Sequence, residues 1–240
     1  DIMPLPKIST PTYELELPST GKNIKYRPFL VREEKLLVLA MESEDTKQIT
    51  EAVREVIKNC ISTRGIKVET LPTFDIEYLF LNIRGKSVGE DIEVNLICPD
   101  DGVTQVPTNI NIDDIQVSKS DEHESKIELD KKVSMQMKYP SLDEFIKNNF
   151  DLSGNTMEQS FELIASCIDS IYDDEEVWSA ADCTKKELLA FLDQLNSAQF
   201  KKIEKFFETM PKLTHEVTIT NPKTKVESKV VLEGLSSFFA

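Results

Sequence analysis

Apolar and polar residues alternate in two short runs near the start, "YELELP" (Tyr13 to Pro18) and "NIKYRPF" (Asn23 to Phe29). A period of two on either side of "STG" predicts a β-hairpin. The period then lengthens. "REEKLLVLAMES" (Arg32 to Ser43) reads as a short helix, strongly apolar at its centre. Next, Ile49, Val53, Val56, Ile57, Cys60 and Ile61 fall on one helical face, and Gly65 ends the segment. "TFDIEYLFLNIRG" (Thr73 to Gly85) predicts a third helix, opened by Pro72 and closed by Gly85. Its density of Phe, Tyr, Leu and Ile points to burial on most sides.

Between Asp91 and Met137 the period returns to two. "DIEVNLIC" and "VTQVPTNINI" alternate around Pro99-Asp100-Asp101-Gly102, and "KIELD" and "VSMQMKY" are further strand candidates. The polar run "SKSDEHES" (Ser118 to Ser125) reads as a mobile loop. Three capping-box spacings then open helices: Ser141 with Glu144, Asn155 with Glu158, and Thr184 with Glu187. The helix after Asn155 is expected to carry Met157, Phe161, Ile164, Ile168 and Ile171 on one stripe. The helix after Thr184 carries Leu188, Leu189, Leu192 and Leu195. A last helix carries Phe200, Ile203, Phe207 and Met210, and stops at Pro211. A second hairpin, "THEVTITNPKTKVESKVVLEG", turns at Asn221-Pro222-Lys223, and the apolar tail "LSSFFA" follows.

The expected class is therefore α+β: an N-terminal β-hairpin plus helices, a middle antiparallel β region, and a C-terminal helical region closed by a β-hairpin. A boundary near Pro140 would separate an α+β region over 3–139, with a β-rich middle, from a mainly helical region over 140–240. One integrated domain is the other option. Whether the closing hairpin pairs with the middle strands does not follow from the sequence.

Composition narrows the partners. Acids number 43 and bases 28, giving a net charge of −15, which repels phosphate backbones and anionic lipid. Neither nucleic acid nor membrane is expected as a partner. No apolar run reaches the roughly 20 residues of a membrane span. No charged-then-apolar leader points to secretion. Cys60, Cys98, Cys167 and Cys183 are widely spaced and contain no C-x-x-C pair, which suits free thiols in a reducing compartment.

Candidate chemistry is sparse. "CPDDG" (Cys98 to Gly102) resembles one knuckle of a zinc ribbon, but Asp101 stands where a second cysteine would be needed. His123 and His215 have no ligand spacing to Cys98. The stretch reads as a hairpin turn: Pro fixes φ, Asp bonds its own backbone and Gly takes positive φ. His123, in the polar loop, and His215, at the start of a strand, read as surface residues. "DLSGN" (Asp151 to Asn155) has its glycine at the wrong offset for a calcium loop. Carboxylate pairs such as Asp173-Asp174 and Glu175-Glu176 could serve as acid and base, but a solvated charge run explains them better. No cofactor or metal is expected. A metal-dependent hydrolase is the distant alternative, weakened by the lack of histidine ligands.

One stretch is less ordinary. No Lys or Arg lies between Lys147 and Lys185, and the acids peak in "YDDEEVWSAAD" beside the single tryptophan, Trp178. An acidic helix end with a solvated loop is one reading. A docking surface, with Asp173, Asp174, Glu175 and Glu176 around an aromatic anchor, is the other. The apolar ends, "MPLPKI" and "SSFFA" with Phe238 and Phe239, are further candidates for partner contact.

The stretch "MPLPKISTPTYELELPSTGKNIKYRPFLVREEKLLVLAMES" resembles the N-terminus of the baseplate hub subunit and hub-assembly family of T4-like contractile-tailed phages. "LPTFDIEYLFLNIRGKSVGE", "MKYPSLDEFIKNNF", "EEVWSAADCTKKELLAFLDQL" and "FFETMPKLTHEV" extend the resemblance over the chain from Met3. It implies a non-enzymatic late protein, with no catalytic residues, that binds other hub and tail proteins while the baseplate is built in the host cytoplasm. A homo-oligomer is compatible with it. The resemblance leaves open whether the protein stays in the virion or acts as a transient chaperone.

Overall fold

The computed structural model describes residues 5–150 and 156–238. The first hairpin pairs β1 (Tyr13–Glu16) with β2 (Asn23–Tyr26) in antiparallel register, Leu15 opposite Ile24. Gly21 closes its turn at φ +69°, a conformation that costs glycine little. Three helices follow: α1 (Val31–Glu42), α2 (Thr46–Cys60) and α3 (Thr73–Val88). Asp45 caps α2 by accepting from the Lys47 and Gln48 amides. The α2 stripe from Ile49 to Cys60 is buried as its spacing predicts. The centre of α1 differs from its pattern, because Val38, Leu39 and Met41 face solvent.

The helix α3 is buried on most sides, as its composition predicts. Gly85 does not close it. The helix runs on to Val88 and stops at Gly89, whose φ is +128°. Gly85 is there for space, since a Cβ would overlap Ile112 Cδ1.

The middle strands are β3 (Asp91–Ile97), β4 (Gln105–Asn111), β5 (Gln116–Ser118), β6 (Lys126–Glu128) and β7 (Ser134–Met137). The helix α4 (Leu142–Phe150) begins directly after Ser141. Asn155 lies outside the described residues. The cap of α5 (Met157–Ser166) falls one residue later, where Thr156 and Gln159 bond reciprocally. The stripe expected to continue this helix breaks at Cys167. Ile168 and Ile171 belong instead to β8 (Ile168–Tyr172), which pairs with β7 and with β9 (Val177–Ser179). Isoleucines at i and i+3 would face opposite sides of a regular strand, but the register shifts between Gln136 and Met137, where the β7–β8 pairing passes over Asp169, and both Ile168 and Ile171 are buried.

Two more helices, α6 (Lys185–Asp193) and α7 (Ser197–Thr209), precede β10 (Lys212–Thr220) and β11 (Glu227–Glu233). The Thr184–Glu187 box forms as predicted. Among the described residues the strands make four antiparallel groups: β1-β2, β3-β4, β11-β10-β5 and β6-β7-β8-β9. The class is thus α+β, and the closing hairpin does pair with a middle strand, Leu213 opposite Val117.

Side chains gather into two apolar clusters. One joins the first hairpin, α2, α3, β3-β4, α4 and the closing hairpin. The other joins β6-β7-β8 to α5, α6 and α7. The chain alternates between them, leaving the first after β5, returning with α4 and returning again with β10. Phe238 ends in the first cluster, fully buried.

Candidate docking surfaces

The acidic stretch is a hairpin turn rather than a helix end. Asp173 Oδ1 accepts from the Glu175 and Glu176 amides at 2.9 and 2.8 Å, and Asp173 N donates to Glu176 O at 3.0 Å. One carboxylate therefore builds the turn between β8 and β9. Asp174, Glu175 and Glu176 are left exposed, and among the described residues no ion pair joins them. Trp178 stands opposite Ile171 at the edge of the four-stranded sheet, 39% exposed, beside the exposed Val177. The turn, Trp178 and the open edge of β9 thus lie together. Phe238 does not join them, because its ring is in the core. Phe239 lies outside the described residues.

Turn chemistry also explains the stretch at Cys98. Gly102 adopts φ +68°, and Asp101 Oδ1 accepts from the Val103 and Thr104 amides. This carboxyl is held well below the usual range, first by the Thr104 hydroxyl and amide, then by Val103 N and Asn221. The Cys98 thiol is pushed up by burial and by its neighbours Asp100 and Asp101. Among the described residues, no group of three or more His, Cys, Asp or Glu could hold a metal ion. Asn221 joins this turn to the closing hairpin. Its Nδ2 donates to both Asp100 oxygens at 3.2 Å and to Asp101 Oδ2 at 2.9 Å, and Thr224 Oγ1 donates to Asp100 Oδ2.

His123 departs from its reading as a surface residue in a mobile loop. Its ring is half-buried between Tyr139 and Phe206, with centroids 5.6 and 5.2 Å away. Nε2 lies 2.8 Å from the Tyr139 hydroxyl and Nδ1 lies 3.0 Å from Thr209 Oγ1. Thr209 donates its own proton to Lys205 O, so it accepts from Nδ1–H, and Tyr139 donates to Nε2. Burial, with Lys119 nearby, lowers the imidazole pKa. Glu122 and Lys205 pair at the rim. The packing of the ring needs Tyr139, 16 residues away, and α7, about 80 away, so no local signal could have shown it. His215 sits in β10 with Nδ1 3.2 Å from Asp114 O.

A cleft of about 880 Å³ between α4 and the α5–α6 pair is lined by Lys138, Glu144, Lys147, Glu162 and Lys185. Glu162 and Lys185 pair with each other, and burial raises the Glu144 carboxyl. Neither histidine lines it, so no imidazole base meets these groups. Among the described residues, no helix is long and apolar enough to cross a membrane.

Residues 10–240 match the family model described as "T4 bacteriophage base plate protein". No curated protein matches the chain, and no solved structure does.

Proposed function

Because the chain belongs to the T4 bacteriophage base plate protein family, we propose that it serves as a hub subunit of the contractile-tail baseplate. Membership makes it a baseplate structural protein that meets other phage tail proteins. The finer reading is that it joins neighbouring hub proteins during assembly in the host cytoplasm. The family match carries this reading, since it takes in every strand and helix of the fold. The β8–β9 turn supports it as a docking element. Three exposed carboxylates flank a tryptophan on an open strand edge, which suits steering by charge and strand addition by a neighbour.

Quantitative mass spectrometry of purified particles tests the role. A stoichiometric signal is expected. A signal found only in lysates blocked in tail assembly would instead make the protein a transient chaperone. Binding of purified hub and tail proteins tests the surface. Asp174→Lys, Glu175→Lys and Glu176→Lys together are expected to abolish capture, and undiminished capture would move the docking site elsewhere.

A further inference from the structure

The strand β11 pairs with β10 in unbroken antiparallel register, and among the described residues no strand lies beyond it. Two bonds fix which way its backbone points. Gly234 N donates to Leu213 O at one end, and Asn221 N donates to Val226 O at the other. In an antiparallel ladder alternate residues bond the neighbouring strand. Ser228, Val230 and Leu232 therefore bond β10, and the amides and carbonyls of Glu227, Lys229, Val231 and Glu233 point away from it. The side chains of these four share the solvent face, with Val231 53% exposed, while Val230 and Leu232 face the first apolar cluster. The described part of the tail does not pair with this edge. Gly234 turns the chain at φ +76°, and Leu235 and Phe238 enter the core. Ser237 Oγ donates to Glu233 O at 2.5 Å, which leaves that carbonyl a second lone pair.

Such an edge is a template for one more strand. The other seven-residue strands have blunted edges: Pro107 removes an outward N–H from β4, and β3 carries Asp91 and Glu93 at outward positions with no base among them. On β11 the outward positions carry both signs, Lys229 and Glu233, with Val231 midway. Its charges discriminate between the registers in which it could meet a second copy of itself. With Val230 on the two-fold axis, Glu227 meets Glu233 twice, and with Lys229 on the axis, lysine meets lysine. Like charges directly opposite each other destabilise a pair of strands. With Ser228 on the axis, Glu227 meets Lys229, but the overlap of strand with strand ends there. With Val231 on the axis, Lys229 lies opposite Glu233 twice and Val231 meets its own copy, all on the solvent face. On the other face Val230 then lies opposite Leu232, which continues the apolar layer.

We propose that β11 pairs antiparallel with β11 of a second copy about a two-fold axis at Val231, joining their three-stranded sheets into one continuous sheet. The outward N–H and C=O groups of Lys229, Val231 and Glu233 bond those of the residues opposite. Within its own chain Lys229 Nζ lies 3.3 Å from Glu216 Oε1, so in the dimer each lysine sits between two carboxylates. The occupant follows from the match, because one register of the same strand supplies the open backbone groups, the opposite charges and the apolar underside together.

Sedimentation equilibrium of the full chain over a concentration series tests this, in about 0.15 M salt, which screens the net charge beyond about 8 Å. The mass is expected to rise from 27.3 kDa towards twice that value. Lys229→Glu and, separately, Glu233→Lys each set like charges opposite one another and should weaken the dimer at least about tenfold. The two substitutions together exchange the charges and should restore it. Both side chains are exposed and the Glu216 pair is a surface one, so thermal unfolding of these variants should match that of the parent. Val231→Pro removes an N–H that points away from β10, which an edge strand tolerates, and should abolish the dimer. A monomer at every concentration would overturn the proposal and leave the edge to a different protein. A dimer indifferent to Lys229→Glu, or one that the double exchange fails to restore, would overturn it too. None of these results bears on the baseplate role, which rests on the family match.

Discussion

Two hairpin turns of this protein are built by the same local device and meet opposite fates. At Asp101 and at Asp173, one carboxylate oxygen accepts from the amides two and three residues on. Both turns carry further acids. Around Asp100 and Asp101 the fold supplies a buried partner, Asn221, and ties the turn to a hairpin 120 residues away. Around Asp173, among the described residues, no side chain from a distant element bonds to the turn, and Asp174 to Glu176 are exposed. Identical local chemistry thus serves stability in one place and leaves charge available for a partner in the other. What distinguishes them is what packs nearby.

The sharpest way to break that contrast is Asn221→Ala. It removes the Nδ2 bonds to Asp100 and Asp101 together with the turn bonds that Asn221 Oδ1 accepts from the Lys223 and Thr224 amides, and is expected to cost about 2 kcal/mol of unfolding free energy in urea titration. A cost indistinguishable from zero would mean that the tie to Asn221 adds nothing to the stability of the Asp101 turn. Asp101→Ala should lower the denaturation midpoint more than Asp173→Ala, because only the first loses a tertiary bond as well as a turn. Equal midpoints would undo the distinction.

Acid separates the regions further. The folded pKa of His123 lies below its ordinary value, so its contribution is present above about pH 6.5 and is lost as the pH falls through the folded pKa. Asp101 is also depressed, so its contribution is present above about pH 3.9 and fails only in stronger acid. Stability measured against pH should therefore show a first acid limb that His123→Gln removes, with the Asp101 turn unaffected in that range. A limb that persists in the variant would assign it to other groups. The smallest effect is expected for Asp174→Lys with Glu175→Lys and Glu176→Lys. Thermal stability should stay unchanged while partner capture is lost. A large drop in melting temperature would show that the second turn is structural after all.

Much of this molecule was legible from short spacings. The stripe of α2, the cap at Thr184 and the turn at Gly102 each depend on bonds or contacts within a few residues, and each forms where expected. The candidate surface was half legible. The run "DDEEVW" marked it, but its hairpin was hidden because Ile164, Ile168 and Ile171 also keep helical spacing. Gly85 looked like a helix stop because sequence cannot show Ile112 pressing on it.

By itself, then, the sequence determined the α+β class, most element starts and the chemistry of the turns, because those rest on hydrogen bonds and side-chain periods that close within about four residues. Only the tertiary structure decided that β10 pairs with β5, that His123 is wedged against Tyr139 and Phe206, that Phe238 is core, and that the apolar centre of α1 is bare. Each of those outcomes turns on which surface is still open when distant segments meet. A side chain's own identity sets its need for cover, and the fold sets whether that cover arrives.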